Sequence, residues 1–126
     1  MITIPISVGE LIDKLSILHV KQTMILDQNK LEFINKEFEL LYNFSSAYLD
    51  NEQISNIYHE LVDTNTTLWK IEDELRIKEK NKSFDSDFVD LARKVYITND
   101  IRFSHKNKIN ELTNSEIREQ KDYVKY

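Results

Sequence analysis

Pro5-Ile-Ser-Val-Gly9-Glu10-Leu-Ile-Asp-Lys-Leu-Ser-Ile-Leu18 contains the only proline and the only glycine of this 126-residue chain. Everything after residue 9 lacks both strong punctuators of local structure. β-rich domains need tight turns, and turns at positive φ lean on glycine. Glycine-rich phosphate loops, dinucleotide fingerprints and strand-turn-helix nucleophile elbows are excluded for the same reason. Ser7-Val-Gly-Glu10 has the form of a capping box, in which the serine hydroxyl takes the Glu10 amide and Glu10 reaches back. The stretch therefore ends an extended lead-in, Ile2 to Ile6, and starts a helix.

No breaker interrupts that helix before about Tyr42, and Leu11, Leu15, Leu18, Gln22, Ile25 and Leu26 recur along it at helical spacing. Ile17, Val20 and Met24 supply a second apolar face, so the first half is expected to be buried from two sides. Leu31, Ile34, Phe38 and Leu41 step by three, four and three, the spacing of a packing seam. Residues 43–50 are the expected connection, with Asp50 as N-cap. A second helix carries Ile54, Ile57, Leu61, Leu68 and Leu75 and ends near residues 80–83. A third starts around Asp85 and carries Phe88, Leu91, Val95 and Ile109. Thr113-Asn-Ser-Glu116 reads as another capping box, opening a short helix toward Tyr123. The expected fold is all-α: an elongated antiparallel bundle of two or three long helices plus a short C-terminal helix, forming one domain over residues 1–126. Helices this long leave apolar seams uncovered, so a homodimer is expected.

Composition narrows the function classes. Forty per cent hydrophobic residues suit a chain that buries about two-thirds of its unfolded surface. With 17 basic and 22 acidic residues the net charge is −5, against the basic excess of a general nucleic-acid binder. Only residues 102–108 offer a local basic patch. There are no cysteines, which removes disulfides, thiolate metal sites and cysteine nucleophiles. No apolar run approaches the roughly 20 residues of a membrane span, and the N-terminus lacks the basic and long apolar regions of a signal peptide. A cytoplasmic protein without membrane or nucleic-acid partners is expected.

The polar residues of two helices draw attention, because they sit where apolar ones belong. With Leu61 as zero, Glu72 falls at about +20°, Asn65 at about +40°, Arg76 at about +60°, Trp69 at about +80° and Asp73 at about +120°. With Leu91 as zero, Arg102 falls near +20°, Lys106 near +60°, Asn99 near +80° and Asn110 near +100°. Glu72 and Arg102 thus lie inside the apolar arcs. An unpaired buried charge costs several kcal/mol, so each needs a partner if buried. The simplest arrangement has the two stripes facing each other, with Arg102 and Arg76 forking onto Glu72 or Asp73 and the asparagines satisfying the rest. The nine residues form either a register-fixing network or a site for a small anionic or polar ligand walled by Trp69. His59-Glu60-Leu-Val-Asp63 half-resembles a zinc helix, but Asp63 replaces the second histidine and no third ligand is evident. A solvated helix face is the better reading, and no metal or other cofactor is expected. Tyr96, Tyr123, Tyr126, Phe84, Phe88 and Phe103 read as core or interface aromatics.

Three segments together carry a family resemblance. Pro5 to Leu18, as quoted, is similar to the opening of a family of short bacterial and phage proteins known only as a domain of unknown function. The similarity continues in Asn65-Thr-Thr-Leu-Trp69-Lys-Ile-Glu72-Asp73-Glu-Leu-Arg76. It returns in Phe88-Val-Asp-Leu-Ala-Arg93-Lys-Val-Tyr96-Ile-Thr-Asn99-Asp100-Ile-Arg102, then at Lys106, Ile109-Asn110, Ser115 and Lys121-Asp-Tyr123. A larger family resembles the Asn…Leu-Trp…Glu-Asp…Arg and Asn-x-x-Arg pieces. The resemblance implies a single helical domain and provides no catalytic residues to carry over. Its motif positions coincide with the two polar stripes.

Three functions compete on these residues. The first is a helical binding or assembly module, dimeric, with the cluster structural or ligand-holding. The second is a Mg²⁺-dependent nucleotide pyrophosphohydrolase, which needs several convergent carboxylates. The chain offers Glu37/Glu39, Glu60/Asp63 and Glu72/Asp73 but lacks the EExxE motif of such helices. The third is a metal-free clamp resembling chorismate mutase, with Arg76, Arg102 and Lys106 on a dicarboxylate and Glu72 nearby.

Overall fold

The computed structural model describes residues 1–126 as four α-helices without strands: α1 (Val8–Met24), α2 (Gln28–Leu49), α3 (Glu52–Lys80) and α4 (Ser86–Leu112). No helix is long and apolar enough to cross a membrane. α1 and α3 form the central pair, each packing on all three other helices, while α2 and α4 flank them without touching. The core centres on Ile12 and Leu15 from α1, Ile54, Tyr58 and Leu61 from α3, and Ile109 from α4. α1 is buried from two sides, but of the expected second apolar face only Val20 is buried, beside Gly9, Asp13 and Ser16, while Ile17 and Met24 are half-buried.

The expected first helix breaks in two. Ile25 leaves the helical region (φ −90°, ψ 131°), and Asp27 starts α2 by accepting the Lys30 amide at 3.1 Å. An aspartate oxygen offers the next helix an N-cap, and the chain turns back without glycine or proline. The next connection is shorter than expected: α2 runs through Leu49, and Asn51, not Asp50, caps α3 by accepting the Ile54 amide at 3.2 Å. Ser7 caps α1 and Asp85 caps α4 as the sequence requires, accepting the Glu10 and Phe88 amides.

The expected C-terminal helix is absent; residues 113–126 are not helical. Thr113 is the end of α4, and its hydroxyl donates back to the Ile109 carbonyl at 2.8 Å instead of capping a further helix. Asn114 takes a left-handed conformation (φ 49°). The Asn114 amide then donates to the Glu111 carbonyl and the Ser115 amide to the Asn110 carbonyl, which is a Schellman ending. Lys82 (φ 53°) closes α3 the same way, with amides 82 and 83 donating to the Glu79 and Lys78 carbonyls. In both places a non-glycine residue holds a position that glycine usually fills.

Candidate functional site

The carboxylate that answers Arg102 is Asp13, on α1. Its side chain is fully buried. Arg102 forks onto it, Nε to Oδ1 at 3.0 Å and Nη2 to Oδ2 at 2.6 Å. Asn65 donates from Nδ2 to Asp13 Oδ1 at 3.1 Å and to Ser16 Oγ at 2.9 Å, and Ser16 Oγ donates to the Asp13 carbonyl. One buried carboxylate thus joins α1, α3 and α4. The hydrogen bonds that Arg102 donates to Asp13, opposed in part by burial, hold its guanidinium above the ordinary arginine value. The pair is locked, because a bidentate fork fixes the guanidinium plane.

The expected pairing of Arg102 with Glu72 or Asp73 is therefore corrected, while that of Arg76 with Glu72 is present. Arg76 reaches Glu72 along α3 itself, as an exposed i,i+4 pair, and Glu72 keeps about half of its side chain in solvent (47%). Glu72 falls in the apolar arc of α3, but there that arc faces an open cleft rather than the core. Asp13 was legible only indirectly. Gly9, Asp13, Ser16 and Val20 fall within an arc of about 60° on α1. That small and polar stripe on the most buried helix was the missed signal.

A second cluster lies one turn further along α4. Lys106, buried, reaches Glu10 at 2.9 Å and Glu119 of the C-terminal segment at 3.3 Å. Glu10 therefore does not complete its capping box; it reaches across to α4. Burial pushes the Lys106 ammonium down, but hydrogen bonding to Glu10 and the charges of Glu10, Asp13 and Glu119 outweigh it and raise its pKa. Asn110 Oδ1 accepts the Gly9 amide at 2.7 Å. A Cβ on Gly9 would lie 2.8 Å from that oxygen and closer still to the Lys106 carbonyl. Glycine is required there because α1 and α4 meet backbone to backbone.

The stripes do face a common space. Asn65, Trp69, Glu72, Asp73 and Arg76 of α3 and Asn99 and Arg102 of α4 line one open cleft of about 530 Å³. Ile17, Val20 and Lys21 of α1 and Leu68 complete its wall. Lys106 lies outside it, in an adjoining polar cavity of about 240 Å³ that shares Asn99 and Arg102. Asn110 lines neither and serves the α1–α4 contact. Within the cleft, Arg102 keeps Nη1 free of protein acceptors, and the side chains of Asn99 and Trp69 make no hydrogen bond within the chain. Lys21 enters no ion pair. The cleft is rich in donors that the fold leaves unused.

A family model described as "Family of unknown function (DUF6165)" matches residues 2–125. The chain belongs to that family. No curated protein and no solved structure matches it. The family's resemblance segments, read from sequence, are the ones that build the cluster: Asp13 and Ser16 in the first, Asn65 to Arg76 in the second, Asn99 and Arg102 in the third. The semi-buried cluster has the make-up of a binding site. The three carboxylate pairs that a pyrophosphohydrolase would need do not converge. Glu60 sits against His105 at 3.2 Å, Glu72 against Arg76, and Glu37 beside Lys14 and Lys21 at the α1–α2 face. No group of three or more His, Asp or Glu side chains is arranged to hold a metal ion.

Proposed function

We propose that this chain is a cytoplasmic, homodimeric binding module of one helical domain, and that the α1–α3–α4 cleft takes a small anionic ligand with a planar or apolar portion. The observation that carries this reading is the Arg102 guanidinium. One edge is fixed by the buried Asp13, and the Nη1 edge lacks a protein acceptor beside Trp69 and Asn99. A receptor group held before the ligand arrives loses little freedom on binding. Trp69 and Leu68 offer the apolar wall, while Asn99, Lys21 and Arg76 surround it with donors and charge. A clamp enzyme is less well supported, since Arg102, Arg76 and Lys106 each already face a carboxylate of the chain.

Trp69 is the only tryptophan, so its emission reports on the cleft alone. Titration with aromatic carboxylates, phosphosugars and nucleotides, without added metal, is expected to give a saturable emission change for one of these classes. Asn99→Ala should weaken that binding by tenfold or more and leave the thermal melt in place. An emission flat across the whole panel would sink the proposal.

A further inference from the structure

The smaller polar cavity is a feature the cleft reading does not absorb. Apart from Phe103 its walls are polar: Arg102 and Lys106 of α4, Lys121 and Glu119 of the C-terminal segment, Glu10 of α1, and Asn99. Three cations stand there, and the carboxylates of Glu10, Glu119 and the buried Asp13 balance them. The three carboxylates are not held alike. Asp13 is locked in a fork and Glu10 is fixed on the first turn of α1, 2.9 Å from Lys106. Glu119 reaches Lys106 at a looser 3.3 Å and from a segment without helical hydrogen bonds.

We propose that this cavity is an oxyanion subsite, and that Glu119 fills it in the free protein as a displaceable stand-in for the carboxylate or phosphate end of a ligand. A bound oxyanion takes the Lys106 ammonium and that of Lys121, which stands over the Phe103 and Tyr123 rings without an ion pair, and the tail carboxylate swings into solvent. The geometry connects the subsite with the cleft, because Asn99 and Arg102 wall both spaces. Resting on the cleft reading, the ligand is one whose planar part lies against Trp69 and whose acidic end passes Arg102. The occupied subsite itself does not depend on Trp69, so it can be tested with the oxyanion alone. Charge decides the direction of the effect: losing the Glu119 carboxylate leaves one cation uncompensated in a confined, partly desolvated space.

The test is inorganic phosphate, and separately acetate, titrated at constant ionic strength into the full chain. The readout is the amide resonance of Gly9, the only glycine, whose N–H lies on Asn110 beside Lys106, together with the Lys106 amide. Glu119→Gln is expected to bind at least one of the two oxyanions fivefold or more tighter than the wild type. Glu116→Gln removes a charge from the same segment without touching the cavity, and should titrate as the wild type does. Phosphate acting on one variant and acetate on neither would assign the subsite to phosphate, and the reverse to carboxylate. The proposal is overturned if Glu119→Gln binds no more tightly than the wild type, or if Glu116→Gln tightens equally, which would mean net charge alone. A flat Trp69 titration beside a positive Gly9 titration would remove the cleft and keep the subsite.

Discussion

Among single residues, the same charge type has opposite meanings on α3 and α4. Arg102 is part of the fold, since Asp13 is fully buried and depends on it and on Asn65 for every hydrogen bond to its carboxylate. Arg76 is rim, exposed and paired only with its own helix neighbour. Arg102→Ala leaves a buried carboxylate short of its main partner and is expected to cost about 3–5 kcal/mol. Asp13→Ala should cost a similar amount, by stranding the guanidinium. Arg76→Ala should leave chemical denaturation within about 0.5 kcal/mol of wild type, because exposed pairs contribute little. Urea titration followed by circular dichroism measures all three. An Arg102→Ala protein as stable as Arg76→Ala would show that Asp13 is not the anchor.

Among the helices, ends and starts are set by side-chain chemistry, because the chain has no glycine after residue 9. The caps at Ser7 and Asp85 are legible in the sequence, because a serine or aspartate before an apolar-periodic run is a local signal. The cap at Asp27 is not, since the apolar spacing from Leu11 to Leu41 continues through the break. A periodic pattern cannot say whether two helical runs are collinear or folded back. Residues 113–116 mislead in another way, because a Ser/Thr–Glu spacing fits both a start and a stop; the fold resolves it, with Thr113 bonding backward into α4. The αL residues give a testable consequence. Lys82 stands at the C′ position of α3 with φ 53°, at a cost that glycine does not bear. Lys82→Gly is therefore expected to stabilise the protein by about 1 kcal/mol and raise the melting temperature by a few degrees, despite loss of the exposed contact with Glu79. A lower melting temperature would mean that the Schellman geometry is not kept in solution.

Across the whole molecule, helix length sets what is left uncovered. α3 and α4, of 29 and 27 residues, outrun the 17-residue α1, and Ile77, Phe84 and Val89 toward their joined end are more than half exposed. Phe33 and Phe44 do the same along α2. Apolar surface at both places is the reason to expect a second copy. Light scattering on a chromatography peak should give about twice the 15.0 kDa of one chain. A monomer at high micromolar concentration would remove the dimer from the proposed function. The order of residues along the chain was enough for the all-α class, the caps of α1 and α4, the double burial of α1, and most of the residues that meet in the cleft. Each of these depends on periodicity or on a contact within four residues, which a linear chain displays. Three-dimensional packing was needed to select Asp13 rather than Glu72 as the answer to Arg102, and to send Glu10 across to Lys106 instead of back to its own cap. Packing also leaves residues 113–126 as a tail without helix or strand, with Glu119 beside that lysine. Those are choices among chemically equivalent carboxylates, and distance in space, not spacing in sequence, selects between them.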